Sequence, residues 1–100
     1  MKLAVIVSDL RRTEGTYERI TAEKLGVILA QNGVYHAVVK ENGQPSPVLG
    51  KEGAEFYVVK EDLETRGFTE ADIVDSKVKA VTYGDVVDLL MNDYEKNAWL

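Results

Sequence analysis

The chain of 100 residues contains no cysteine, one histidine, one tryptophan and two prolines. Without cysteine it has no disulfide, no thiolate nucleophile, no Cys-based zinc site and no sulfur atom that can carry a persulfide. A single histidine also excludes metal sites that need two or three imidazole ligands. We expect neither a metal site nor a cofactor.

Long hydrophobic runs and excess positive charge are missing as well. The longest apolar runs, such as Leu3 to Val7, are far too short to span a bilayer. Met1 and Lys2 lead directly into strand-like sequence, without the pattern of a secretory signal. A net charge of −5 and a pI near 4.8 argue against a general nucleic-acid surface, which needs a basic footprint. We therefore expect a cytoplasmic protein that binds neither membrane nor nucleic acid directly.

The hydrophobic pattern that is present predicts a single α/β domain over residues 1–100. Continuous apolar runs are typical of parallel strands buried on both faces. Four such strands are predicted, near residues 2–8, 26–30, 55–59 and 78–82. Helical segments alternate with them, so we expect a three-layer α/β/α fold with a mainly parallel sheet of four or five strands. Lys77 and Lys79 indicate that the fourth strand lies at an edge of the sheet.

Helices are predicted between the strands. The first runs from about Glu14 or Thr16 to Lys24, and a short second one begins near Gly33 with Val34, Ala37 and Val38 on one face. The third spans Lys60 to Arg66, with Asp62 and Arg66 placed to pair and Gly67 in the left-handed position after its end. A capping box from Thr69 to Asp72 predicts one further turn.

The last helix and the loops complete the prediction. Thr82 is expected to cap a helix from Gly84 to about Asn92, which buries Val86, Val87, Leu90 and Met91. Lys40 to Gly53 holds three glycines and both prolines, which predicts a loop, either a binding flap or a tolerated insertion. Asp93 to Leu100 is interpreted as a tail.

Ligands of open α/β sheets bind beyond the carboxyl ends of the strands, so the candidate site residues are sought there. Gln31 and Asn32 carry amides that can orient a small group or a partner backbone, while Gly33 permits close approach. The alternative is a tight turn that Asn32 stabilises locally. Lys60 is a cation at the same edge, placed either to attract an anion or simply to be solvated. His36 is interpreted as a surface or satisfied histidine, and no nucleotide-binding or nucleophile motif is present.

The two aromatic residues near the end of the chain are candidates for a subunit interface. A Trp two residues from a chain end is exposed unless something covers it. Trp and Tyr are enriched at interface hot spots. For Trp99 we keep two alternatives, packing on its own sheet or contact with another subunit, and we add Tyr94 to the second.

Four segments together resemble the DsrH/TusB branch of the DsrE/F/H sulfur-relay family. The most specific is the strand-to-helix segment from Phe56 to Phe68, and the others are Gln31 to Val34, Asp85 to Leu90 and Trp99. The resemblance covers residues 25–100 and extends only loosely to residues 1–24. The segment from Glu41 to Gly53 has no counterpart in it.

The resemblance implies a function in sulfur relay. In the family, sulfur passes as a persulfide on a cysteine of a partner subunit, toward thiolation of the tRNA wobble uridine or toward dissimilatory sulfur oxidation. Because this chain lacks cysteine, the resemblance implies a non-catalytic subunit that acts with Cys-bearing DsrE/DsrF-like paralogues or with copies of itself. Two alternatives stay open: a stand-alone homo-oligomeric protein that binds a small ligand, and a small enzyme that uses carboxylates or His36.

Overall fold

A computed structural model describes residues 2–8, 24–40, 43–44, 46–50 and 53–99. Its strands are β1 (Lys2–Val7), β2 (Lys24–Leu29), β3 (Ala54–Val59), β4 (Val78–Val81) and β5 (Lys96–Trp99). Its α-helices are α1 (Tyr35–Val38), α2 (Lys60–Thr65) and α3 (Tyr83–Asn92), and short 3₁₀ helices cover Gln31–Val34, Pro47–Gly50 and Glu70–Asp72. The first predicted helix lies outside the described residues, except that its expected last residue, Lys24, begins β2 instead. No helix in these described ranges is long and apolar enough to cross a membrane.

The five described strands form one parallel sheet in the order β4-β3-β2-β1-β5. The four predicted strands are confirmed, and β4 is an edge strand as expected. The predicted tail is wrong, because Lys96 to Trp99 pairs with β1 from Leu3 to Ile6. This fifth strand is short, polar and mostly exposed, so it lacks the apolar run that marks a buried strand.

Helices cover both faces of the sheet, which confirms the three-layer α/β/α architecture. On one face, Val5, Val27 and Val58 pack against Val34 and Leu63 from the segments that follow β2 and β3. On the other face, a second cluster lies beneath α3; its members are Ala4, Ile6, Ile28, Ala30, Tyr57, Val59 and Tyr94, with Val86, Leu89 and Leu90 packed against them. This division follows from the strand order, because crossovers between parallel strands are right-handed. From β2 to β4 the chain moves toward one edge of the sheet, and from β4 to β5 it returns toward the other edge. The reversed direction places α3 on the opposite face.

The ends of α2 and α3 are formed by the capping residues that the sequence predicts. Gly67 has φ +81°, and the N–H groups of Gly67 and Phe68 donate to the carbonyls of Glu64 and Leu63, at 3.0 Å each. Thr82 caps α3 by accepting from the N–H of Asp85 at 3.1 Å, while the Asp85 carboxylate accepts from the N–H of Thr82. The capping box at Thr69 and Asp72 is also confirmed.

The prediction for the buried face of α3 is partly wrong. Val86 and Leu90 are half-buried as expected, but Val87 and Met91 are exposed. The sheet covers only one stripe of the helix, and Val87 and Met91 lie to the side of that stripe.

The segment predicted as a loop from Lys40 to Gly53 contains a packed part. Val48 and Leu49, in the 3₁₀ helix Pro47–Gly50, are buried in the first core cluster. Ser46 is buried beside His36, and its Oγ lies 2.7 Å from His36 Nδ1. These contacts hold residues 46–50 against the core.

Candidate functional site

Three polar segments meet at the carboxyl edge of the sheet. They follow β2, β3 and β4, and they contain Gln31 and Asn32, Asp62, and Tyr83. We call the group formed by Gln31, Asn32, Asp62, Arg66 and Tyr83 the rim. Parallel strands place the ends of successive strands side by side, which brings together residues more than 20 positions apart in the sequence.

Asp62 holds the rim together. It is 8% exposed. Its Oδ2 accepts from the N–H of Gln31 at 2.7 Å, and its Oδ1 accepts from the O–H of Tyr83 at 2.5 Å. Two donors therefore compensate the burial of one carboxylate, and hydrogen bonds to a charged acceptor are among the stronger ones. Asp62 links the segments that follow β2 and β4 while itself following β3.

The expected pairing of Asp62 with Arg66 is corrected by this geometry. The Nη1 group of Arg66 donates to the main-chain carbonyl of Asp62 at 3.1 Å, four residues earlier in the chain. The carboxylate of Asp62 is instead held by Gln31 and Tyr83. The spacing of Asp62 and Arg66 correctly places them on one side of α2. It does not indicate that the Asp62 carboxylate accepts from residues of other segments.

Gln31 has an unusual backbone conformation. Its φ is +51°, and it is the only non-glycine residue of the described ranges with a positive φ. This region is unfavourable for a side chain with a Cβ atom, and such strain clusters at functional sites. The bond from its N–H to Asp62 fixes this conformation, and its side chain remains exposed.

Asn32 connects the turn to the end of α2. Its Oδ1 accepts from Nε and Nη2 of Arg66, at 3.2 and 3.0 Å. One alternative was that the Asn32 side chain stabilises its own turn. It contacts Arg66 instead, 34 residues away in the sequence. The paired N–H groups of the guanidinium fix the orientation of the amide.

Gly33 lies directly against the main chain at the end of β1. A Cβ atom at this position would lie 1.9 Å from the main-chain oxygen of Val7. The close approach that we expected Gly33 to permit for a ligand or partner is made by the end of β1. The glycine is thus required to pack the turn against the sheet.

Tyr83 is the rim residue that the sequence reasoning missed. The hydrogen bond to Asp62, together with desolvation, raises the pKa of Tyr83 from 10.0 to about 12. Its main-chain N–H donates to both carboxylate oxygens of Glu61 at 3.2 Å. The available signal was its position directly after the cap Thr82, at the carboxyl end of β4.

Lys60 does not form part of the hydrogen-bonded rim in the described structure. Its Nζ lies 3.6 Å from Oε1 of Glu70, and both side chains are largely exposed. The pair borders a groove of about 390 Å³ that Leu63, Glu64, Thr69 and Ala71 also line. An exposed ion pair of this kind contributes little to stability.

The other residue singled out for possible chemistry is His36. His36 is buried and contacts Ser46, which agrees with the interpretation of a satisfied histidine. Within the described ranges, no three His, Cys, Asp or Glu residues are grouped to hold a metal ion. Both oxygens of Asp62 already accept hydrogen bonds, and Tyr83 stays protonated near neutral pH.

The two interface candidates lie in different environments. Tyr94 is 6% exposed and packs inside the chain: its hydroxyl occupies the space where Gly26 lacks a Cβ atom, and the Lys24 ammonium lies 5.0 Å from its ring centroid. It is therefore not available at the surface, and the interface assignment of Tyr94 is corrected to a core role. Trp99 is 62% exposed on the edge strand β5.

Comparisons with known proteins agree on one family. A family model described as DsrH like protein matches residues 10–96. A protein TusB of Photorhabdus laumondii is 40% identical over 73 residues, which is 73% of each chain. A protein TusB of Erwinia tasmaniensis is 32% identical over 81 residues, which is 81% of each chain.

A solved structure has the same fold. The solution NMR structure of protein Tm0979 from Thermotoga maritima matches with a TM-score of 0.56 and 28% sequence identity. The match covers 90% of this chain and 93% of the other.

Proposed function

Because the chain belongs to the DsrH-like family, we propose that it is a non-catalytic, cytoplasmic subunit of a sulfur-relay complex. The complex passes persulfide sulfur toward thiolation of the tRNA wobble uridine or toward dissimilatory sulfur oxidation. The observation that carries the proposal is the complete lack of cysteine in a member of this family. A relay subunit without a thiol cannot hold the persulfide, so the sulfur is carried by a partner.

The partners we propose are Cys-bearing paralogues of the DsrE or DsrF type. Two features of the chain support a role in assembly. The rim holds Gln31 and Asn32 in fixed positions at an exposed edge, and Trp99 leaves most of its indole uncovered. Tryptophan is enriched at interface hot spots, and groups held in place before binding lose less conformational freedom when a partner binds.

The test is the mass and composition of the native complex. The chain is coexpressed with the Cys-bearing paralogues encoded in the same genome, purified through a tag on this chain, and examined by native mass spectrometry. A hetero-oligomer of fixed stoichiometry supports the proposal. A homo-oligomer that excludes the paralogues would favour the small-ligand-binding alternative and contradict the relay assignment.

A further inference from the structure

Arg66 is a cation whose hydrogen bonds all go to neutral acceptors. Its Nε and Nη2 donate to Oδ1 of Asn32, and its Nη1 donates to the main-chain carbonyl of Asp62. The ion pairs between described residues involve lysines instead. The guanidinium is therefore held in position by three hydrogen bonds, but no contact with a carboxylate compensates its charge.

The carboxylates closest to Arg66 in the sequence have other contacts or lie on another side of α2. The Asp62 carboxylate accepts from two other segments of the chain. The Glu61 carboxylate accepts from a main-chain N–H at the start of α3. Glu64 is two residues before Arg66, and residues at this spacing do not face each other on a helix. The acidic residues of α2 thus leave the guanidinium without an anionic partner.

Asn32 and Arg66 keep N–H groups that have no partner among the described residues. A guanidinium carries two hydrogens on each Nη, so Arg66 has one left on Nη1 and one left on Nη2. Because arginine only donates, the amide oxygen of Asn32 faces Arg66, and the Nδ2 group lies on the other side of the amide. Asn32 is exposed and Arg66 is half-buried. We call these two side chains the Asn32–Arg66 pair; outward, it presents a positive charge and N–H donors.

The backbone beside the pair is fixed before anything binds. The N–H of Gln31 donates to Asp62, and this bond holds Gln31 at φ +51° directly before Asn32. Strained backbone of this kind clusters at functional sites. Groups that are already held in place lose less conformational freedom when a partner binds. The Asn32–Arg66 pair is thus a preorganised set of donors.

A single carboxylate fits these donors better than a nucleic acid. The two oxygens of a carboxylate accept from the paired N–H groups of a guanidinium, and arginine is the residue that makes such contacts best. A nucleic acid would bring many negative charges to a chain of net charge −5, beside a helix that also carries Glu61 and Glu64. That approach is unfavourable, because binding to a phosphate backbone depends on several cations at once.

We propose that the Asn32–Arg66 pair binds an aspartate or glutamate side chain of the Cys-bearing paralogue. The inference rests on the proposed function and adds to it the two residues and the chemical group through which the partner is recognised. A charge-assisted contact of this kind fixes the relative orientation of two subunits and disfavours partners that lack the carboxylate.

The test reverses the outward chemistry of the pair in the full chain and measures binding of the purified paralogue. Asn32→Asp keeps an oxygen facing Arg66, so the fold is expected to remain intact, but a carboxylate oxygen replaces the outward N–H donors. Asn92→Asp is the matched control, because it adds the same charge at an exposed residue at the end of α3 that lies away from the rim. We expect Asn32→Asp to raise the dissociation constant by about tenfold or more, and Asn92→Asp to leave it within about twofold. Circular dichroism checks the fold of both variants.

Two further measurements identify the group that binds. Arg66→Lys keeps the positive charge but removes the planar set of N–H donors, and it is expected to weaken binding as well. In a double-mutant cycle, each exposed Asp or Glu of the paralogue is replaced by its amide. Replacement of the carboxylate that contacts the pair is expected to abolish the difference between Asn32→Asp and the unmodified chain.

Three results would contradict the inference in distinguishable ways. Unchanged binding of both Asn32→Asp and Arg66→Lys would assign the pair a structural role alone and leave the proposed function intact. Binding of tRNA that these substitutions weaken, with binding of the paralogue unchanged, would identify a phosphate as the group recognised. Failure of the unmodified chain to bind any paralogue would overturn the proposed function and, with it, this inference.

Discussion

The N–H of Gln31 donates to Oδ2 of Asp62 at 2.7 Å, and this bond holds a non-glycine residue at φ +51°. One buried carboxylate thus fixes a strained turn and, through its other oxygen, the first residue of α3. Asp62 therefore connects the turn after β2 to the start of α3.

The two donors to Asp62 predict an order of stability effects. Tyr83→Phe removes one donor and is expected to cost about 1 kcal/mol of unfolding free energy. Asp62→Ala leaves two donors without their acceptor and is expected to cost about 3 kcal/mol. Urea unfolding measures both. A smaller loss for Asp62→Ala than for Tyr83→Phe would contradict the central position of Asp62.

The strain at Gln31 predicts a substitution that increases stability. Gln31→Gly relieves the positive φ and is expected to raise the unfolding free energy by about 1 kcal/mol. Gly67→Ala is the reciprocal control, because Gly67 also has a positive φ. This variant is expected to lose about 1 kcal/mol of unfolding free energy. If the Gln31 amide contacts the partner, Gln31→Gly binds the paralogue more weakly while melting at a higher temperature. Equal binding would assign Gln31 a conformational role alone.

The contact between Gly33 and β1 predicts a severe effect from one methyl group. Gly33→Ala places a Cβ atom against the main-chain oxygen of Val7, and we expect a loss of about 3 kcal/mol. Gly50→Ala is a matched control, because no atom lies within 4 Å of the corresponding Cβ position. Thermal unfolding of the two variants compares them directly. Similar melting temperatures would exclude the proposed packing of the turn on β1.

The raised pKa of Tyr83 predicts a loss of stability in strong alkali. The folded chain favours the neutral hydroxyl, so the stability linked to Tyr83 is complete below pH 10 and is lost as the pH rises through about 12. Burial also raises the pKa of Tyr57 and of Tyr94, so the difference between the unmodified chain and Tyr83→Phe is the informative quantity. We expect this difference to shrink between pH 10 and 12 in chemical unfolding. A constant difference would show that Tyr83 ionises like a free tyrosine.

The elements that were predicted from sequence are those with a strong local signal. β1 and β3 are continuous apolar runs, and Gly67 and Thr82 are residue types that end or begin helices. β5 was missed because Lys96 and Asn97 are polar and exposed, so that its pairing with β1 leaves no local pattern.

The candidate site was predictable in position but not in its connections. Gln31 and Asn32 were expected at the carboxyl edge of the sheet because they follow a predicted strand, and they lie there. Their hydrogen bonds depend on how separate segments come together, which spacing within one helix does not contain. The exposure of Val87 and Met91 has the same origin: their periodicity indicates an apolar side of α3, whereas the width of the sheet contact decides how much of that side is buried.

Transfer of labelled sulfur tests the central claim most directly. The complex of this chain with its Cys-bearing paralogue is incubated with a cysteine desulfurase and ³⁵S-cysteine, and each subunit is examined for covalent label that reductant removes. The account predicts label on the paralogue alone, with this chain unlabelled and still bound in the complex. Stable, reductant-sensitive label on this chain would contradict the account. Labelling of the paralogue while this chain is no longer bound to it would contradict the account as well.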